Sequence, residues 1–197
     1  MPRPLQNRVL ATGEIVAHPA RGQFMGNRGV LHDNRKRLGR SRWKHKAWVT
    51  CRLKWKDWHR AVMSPGAYTE LFFLDEAVAL AAGHRPCGLC RNADYKAFRS
   101  AAGIDGPVAD MDNRLHAERA VPRQFVQRRD QADAESLPDG TIIFDGVPKL
   151  LFDDAMLPVG AGGYGTAEPR AKGRVLVLTP ALSRKALAAG YRPMLAL

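Results

Sequence analysis

Cysteine is scarce in this chain, with three thiols in 197 residues. So small and odd a number excludes a disulfide scaffold and leaves reduced thiols or metal ligands as the uses to consider. Long apolar runs are missing too. No stretch approaches the roughly 18 uninterrupted apolar residues of a membrane-spanning helix. The opening MPRPLQNRVLATGEIVAHPARG has neither the apolar centre nor the small-residue cleavage site of a secretion signal. A cytoplasmic location is therefore expected. Acidic residues are nearly absent from the first sixty positions, where Glu14, Asp33 and Asp57 face 15 Arg or Lys. The remainder holds 16 basic and 16 acidic residues, so the net charge of +12 sits entirely in the first third. No Ser-His-Asp order or paired-carboxylate pattern indicates a reaction. The glycine-rich GAGGYG (160–165) lacks the Gly-Lys-Ser/Thr ending of a phosphate loop and opens no helix, so it reads as a flexible surface loop.

What is present is an ordinary globular composition, 45% hydrophobic and 25% charged, long enough for one sizeable domain or two small ones. All four tryptophans fall in the basic segment RWKHKAWVTCRLKWKDWHR (42–60). Core packing is the competing use for any single tryptophan. For the cluster, basic residues interleaved with flat rings suit a polyanion carrying stackable bases. The candidate contacts are Arg42, Lys44, Lys46, Arg52, Lys54, Trp55, Lys56 and Trp58, with DNA expected ahead of RNA. An acidic protein is the alternative partner.

Periodicity and turn chemistry predict an α+β fold. A strand is expected within 25–34, then a basic loop over 34–42. AWVTCRL (47–53) alternates as a half-buried strand should, with HRAVM (59–63) returning antiparallel after a turn near Lys56-Asp57. After the turn SPGAY, TELFFL (69–74) forms a third strand. Asp75 caps the helix EAVALAA, which Gly83 ends and Pro86 forbids from resuming. Helices follow over about 92–102, stopping at Gly103, and over 110–121. QRRDQADAESLPDG (127–140) reads as a linker or exposed loop. TIIFDGVPKLLFDD (141–154) forms a hairpin turning at Asp145-Gly146, and RVLVL (174–178) a last strand. A closing helix runs to Ala189, with Thr179 as cap and Pro180 at its first position. Composition divides the chain into a basic, Trp-rich metal-binding domain (1–105), a helical connector (106–135) and a C-terminal β/α region (136–197).

The most informative stretch is ALAAGHRPCGLC (79–90). Residues 186–194, ALAAGYRPM, repeat its helix stop without its thiols. What is particular to the first copy is the Cys87-x-x-Cys90 pair. Cysteines at this spacing around a tight turn place two sulfurs on one metal, with further ligands supplied from elsewhere. A helix starting behind Cys90 favours thiolate through its partial positive charge. A redox pair of the thioredoxin kind would open a helix after a strand, whereas here a helix, a glycine and Arg-Pro precede it. Zinc suits thiolates best, with iron the other metal of that preference.

LFFLDEAVALAAGHRPCGLCRNADY (71–95), with a looser echo back to Cys51, resembles the zinc-binding N-terminal domain of the Ada DNA-repair family. There too a strand with paired aromatics leads to an Ala-rich helix and then Gly-aromatic-Arg-Pro-Cys-x-x-Cys. The resemblance implies a zinc-binding α+β unit close to DNA, with Cys87 and Cys90 in the downstream ligand positions and Cys51 in an upstream one. In that family four cysteines hold zinc, and one of the upstream pair accepts a methyl group from a DNA phosphotriester. Here Trp55 stands where the second upstream cysteine would be, so the methyl-transfer chemistry does not carry over.

Three thiols leave a fourth ligand to find. His59 is near Cys51 across the expected hairpin, although a turn at Lys56-Asp57 pairs Cys51 with Val62 and puts His59 on the opposite face. His32, His45 and His116 are further candidates. His84 occupies the family's aromatic slot and reads as packing, and Asp33 reads as a turn former beside Asn34. A metal-dependent nuclease is the competing reading, with His32 beside a metal-bound phosphate. Asp110, Asp112, His116 and Glu118 could line one helix face for it, although an exposed charged face explains them equally.

Overall fold

The computed structural model describes residues 3–58 and 61–197. Two six-stranded sheets and four α-helices make it a mixed α+β fold. The first sheet is built from β1 (Gln6–Val9), β2 (Ile15–Ala17), β3 (Phe24–Asn27), β4 (Val49–Arg52) and β5 (Leu71–Phe73). After helix α1 (Glu76–Ala81) it is completed by the short β6 (Arg85–Pro86), in the order β2-β1-β5-β3-β4-β6. Helices α2 (Asn92–Ala102) and α3 (Val108–Arg119) follow, then a two-stranded hairpin of β7 (Ala120–Val121) and β8 (Val126–Gln127). The second sheet comprises β9 (Asp130–Asp133), β10 (Ile142–Asp145), β11 (Val147–Phe152), β12 (Ala155–Pro158), β13 (Glu168–Pro169) and β14 (Arg174–Val177). It is antiparallel throughout, and α4 (Ala181–Ala188) ends the regular structure. No helix among the described residues is long and apolar enough to cross a membrane.

All six residues of α1 are buried. A helix that short has almost no stability of its own, so its existence depends on what surrounds it. Ala77, Val78, Ala79 and Ala81 pack in one cluster with Phe24, Leu71 and Phe73 of the first sheet and Ile142, Leu150 and Leu178 of the second region. Small side chains let both sheets approach the helix closely. A second cluster joins Leu80 to Phe98, Met111, Leu115, Leu182 and Tyr191, seating α2, α3 and α4 on the other side.

The repeated helix stop has one geometry in both places. Gly83 N donates to Leu80 O and His84 N to Ala79 O, while Gly190 N donates to Leu187 O and Tyr191 N to Ala186 O. Both glycines have positive φ, +81° and +97°, which is the glycine-terminated closure of a helix. At Gly83 a side chain is excluded twice over, because a Cβ there would sit 2.1 Å from Arg119 Cδ.

Several expectations from the sequence need correction. The strand within 25–34 is only Phe24–Asn27, because Gly29 turns the chain at φ +101° and the Arg28 carbonyl accepts from Lys44 N instead of continuing the ladder. Of the returning strand expected over 59–63, the described residues 61–63 form no strand: β4 is already paired with β3 on one side and with β6 on the other. His59 lies outside the described residues, and the register argument that used Val62 no longer applies. Residues 127–140, expected as a linker or exposed loop, supply the end of β8, then β9 and a 3-10 turn, with β9 pairing β14 as an exposed edge strand whose polar sequence hid it. The glycine-rich loop is tied down: Ala161 O accepts from the Arg8 guanidinium, and Tyr164 OH donates to Asp75. Thr179 is no helix cap. Its hydroxyl accepts from Ile142 N, and Pro180 precedes α4.

Two adjacent carboxylates begin α1 in full burial, an arrangement that is costly unless every oxygen is served. Asp75 accepts from Val78 N, Tyr164 OH and Ala196 N. Glu76 accepts from Tyr191 OH at 2.6 Å and Met194 N at 3.0 Å, and pairs with Arg91 at 2.8 Å. Burial pushes the Asp75 carboxyl above the ordinary carboxylate range, against the pull of those hydrogen bonds. Glu76→Ala strands a buried guanidinium with Asp94 as its remaining partner and is expected to cost about 3–5 kcal/mol. Tyr191→Phe removes one hydrogen bond, expected at about 1 kcal/mol. Urea denaturation of the two variants beside the parent protein checks that order.

Candidate metal centre

The site is assembled by the short parallel pairing of β4 with β6. Val49 faces Arg85 and Thr50 faces Pro86. Arg85 N then donates to Trp48 O, and Cys87 N to Thr50 O at 3.0 Å. Pro86 fits because β6 is an edge strand, where a missing amide leaves no gap in the ladder. That pairing carries Cys87 alongside Cys51, which is in register with Met25 on β3. The chain then turns through Gly88 and Leu89 to Cys90, with Arg91 N donating to Cys87 O and Asn92 Nδ2 to Gly88 O.

The three sulfurs lie within 4.8 Å of one another and are half-buried. Sulfurs at about 2.3 Å from a shared tetrahedral metal would be about 3.8 Å apart, so little movement separates this cluster from a coordinating one. Cys51, Cys87 and Cys90 thus form a candidate metal site with three ligands.

Electrostatics favour a cation there. Cys87 lies far below the ordinary thiol range, first because the Cys51 and Cys90 thiols donate to its sulfur, then because the Cys90 and Leu89 amides do. Cys51 is pushed up by the same contacts with Cys87 and Cys90 and by burial. At Cys90 the Cys51 contact pulls downward, but contact with Cys87 and burial carry the group above its usual value. With the three sulfurs this close, each thiolate disfavours ionisation of the next. A bound divalent metal removes that restriction, since each ligand must be thiolate to bind it.

Beneath the turn, Arg91 is the anchor. Its guanidinium pairs with Glu76 and Asp94 and lies 4.5 Å over the Phe24 ring. Arg85 makes a two-pronged pair with Asp112, at 2.7 and 2.8 Å, which holds α3 against β6. Asp112 therefore serves α3 docking.

The histidines considered as fourth ligands are placed elsewhere. His32 Nδ1 is 2.6 Å from Thr69 Oγ1, and Nε2 is 3.2 Å from Ser64 O. His45 Nε2 meets Asn27 Oδ1. His84 is fully buried between Phe73 and Trp48, and its Nε2 faces Arg28 Nε at 3.3 Å. His116 packs edge-on to Trp43 and Trp48. None joins the thiols among the described residues. Asp33 accepts from Arg35 N and Arg37 N and pairs with the Arg37 side chain, closing a turn. Glu118 caps α4 by accepting from Leu182 N and pairs with Arg114.

The basic, tryptophan-rich segment divides into two groups. Arg42, Lys44 and Lys46 precede β4 on the side of α3, where Lys46 Nζ reaches Asn113 Oδ1 and Trp43 meets His116. Arg52 ends β4 next to Cys51, and Lys54, Trp55, Lys56 and Trp58 follow the strand, with Trp55 and Trp58 edge to face at 6.3 Å and Lys56 over Trp55. The strand between them spans about 10 Å at its usual rise. Trp48 is core, its Nε1 donating to His45 O. Trp58 is 74% exposed. Sequence reasoning passed over Arg40, Arg123 and Phe125, which share a cleft with Arg42. The signal was there, since PRQFVQRR (122–129) has the same interleaving of arginine with an aromatic.

Metal titration of the purified chain is expected to give one Zn²⁺ or Co²⁺ per molecule, with a sulfur-to-cobalt absorption band. Cys51→Ser, Cys87→Ser and Cys90→Ser should each remove stoichiometric binding, while Leu89→Ala keeps it. Binding that survives Cys51→Ser would reduce the site to the Cys87–Cys90 pair. Comparison of the chain with protein-family models, curated proteins and solved structures finds no match.

Proposed function

We propose that the chain is an Ada-like zinc protein that binds nucleic acid, with the metal as a structural staple and DNA as the partner. The observation that carries the reading is the thiol cluster at one end of β4, in the segment that holds the whole charge excess. Zinc is the metal of this reading because half-buried thiolates at this spacing suit it and it adds no redox chemistry. His59 is the fourth ligand proposed in this reading; His18, His32, His45, His84 and His116 have other partners or packing. A metal there would fix the Cys87–Cys90 turn to β4 and set the arrangement of the basic side chains that flank the strand.

The nuclease alternative gains no support from His32, whose two ring nitrogens are both engaged. Methyl transfer lacks a spare thiol. Both leave binding as the role that the residues can perform.

Fluorescence anisotropy with random-sequence DNA tests this. Metal-loaded protein is expected to bind with log K falling against log salt at a slope of about −4 or steeper, since each neutralised phosphate contributes about 0.9. Chelation should weaken that binding, and His59→Ala should change the visible spectrum of the cobalt form. Absence of binding at low salt, or affinity indifferent to salt, would remove the nucleic-acid reading.

A further inference from the structure

Helix α3 ends at Arg119, and the hairpin β7–β8 turns the chain back toward the basic loop before β4. Its turn holds Arg123 and Phe125 at positive φ, +65° and +57°, a conformation that residues with a side chain avoid unless the surroundings impose it. The result is a cleft of about 560 Å³ lined by Arg40, Arg42, Arg123, Gln124 and Phe125, within the size range of sites that take small ligands. Among the described residues three guanidiniums line it and no carboxylate does. Arg42 is held in place by its own backbone, with Nη1 donating to Gly39 O at 2.6 Å and Arg40 O at 3.2 Å. Phe125 meets Trp43 at 5.1 Å and a 67° interplanar angle, so neither ring stacks face to face on the other.

The wall behind the cleft is also positive. Trp43 packs on Trp48, and Trp48 lies between two buried arginines, Arg28 at 4.1 Å and Arg119 at 3.9 Å from its centroid. Burial, together with the nearby Arg42 charge, lowers Arg28 to about 9. Burial and Arg28 lower Arg119, and its opposing carboxylate Asp112 is already committed to Arg85. Among the described residues the two carboxylates that act on Arg119, Asp112 and Glu118, are each paired with another arginine, Arg85 and Arg114, so the arginines from the interior to the cleft mouth outnumber the anions left for them.

We propose that this cleft is a phosphate-binding subsite for single-stranded nucleic acid, with a base stacking on Phe125. A concave site of this size admits an extruded nucleotide, while a stacked duplex offers only its outer backbone. Arginine forks suit phosphate oxygens, and an aromatic ring takes any base. The inference rests on the nucleic-acid reading above and assigns it a place away from the Trp55–Trp58 end of the segment.

The test uses the metal-loaded full chain with a labelled 20-nucleotide random single strand, the matching duplex, and adenosine monophosphate as competitor. The parent protein should prefer the single strand. Arg40→Ala with Arg123→Ala should lower the salt slope by about 1.4, two contacts at about 0.7 each for a single strand. Phe125→Leu should weaken binding roughly tenfold with the slope unchanged, and Phe125→Tyr should restore it. Arg40→Ala alone keeps the test if the Arg123 turn does not tolerate change, with unaltered melting and metal content as the control for folding. If the cleft variants bind like the parent while Lys54→Ala with Lys56→Ala abolishes binding, the cleft assignment falls and the nucleic-acid reading stands. Preference for the duplex, or adenosine monophosphate binding as tightly as the 20-mer, also overturns the assignment. Failure of the parent to bind any strand overturns the underlying reading itself.

Discussion

The buried ion pair between Glu76 and Arg91 is the contact on which most of the molecule converges. Each side chain is 1% exposed, and neither would be tolerated there alone. Glu76 opens the central helix and also receives Tyr191 and Met194 from the C-terminal tail. Arg91 directly follows the second thiol of the knuckle. One pair of charges thus links the helix between the sheets, the end of the chain and the metal-site turn. A buried pair of this kind is weak evidence for stability in itself, since an apolar replacement can be as stable. Its value here is registry: it fixes which surfaces meet.

The candidate metal site depends on a second geometric condition, the two-residue parallel pairing of β6 with β4. Cys51 is far from Cys87 in sequence, and a helix lies between their strands. The glycine stop at Gly83 frees the chain from α1 just where Arg85-Pro86 can take the open edge of β4. The buried Arg85–Asp112 pair then clamps that edge from the α3 side. Helix stop, edge strand and ion pair together deliver the third sulfur.

Much of the local structure was legible because its determinants are local. Asp75 as a helix cap, the helix from Asn92 to Gly103 and the hairpin at Asp145-Gly146 follow from cap and turn chemistry within a few residues. The duplicated Ala-Leu-Ala-Ala-Gly text ends a helix identically in both places, with His84 and Tyr191 each buried afterwards. Strands β9 and β4 show where such reading stops. β9 is polar because it is an edge, and its pairing with β14 leaves no periodic trace. The partner of β4 was sought in the next segment of chain, as a hairpin, whereas the sheet took its neighbour from beyond α1. Glycine-rich 160–165 looked free because its restraints, Arg8 and Asp75, are remote in sequence.

The sequence by itself determined the chemical inventory: three thiols with two at ligand spacing, a charge excess confined to one third, tryptophans among the basic residues, and helix ends written in Gly, Pro and Asp. These are properties of composition and short spacing, which survive without a fold. Only the tertiary structure decided that Cys51 joins the Cys87–Cys90 pair, that His32, His45, His84 and His116 do not, and that the basic segment divides around β4. It alone brought Arg123 and Phe125 to Arg40 and Arg42. Each of these results is a long-range juxtaposition, set by which sheet edge was open and which buried charges had to find each other.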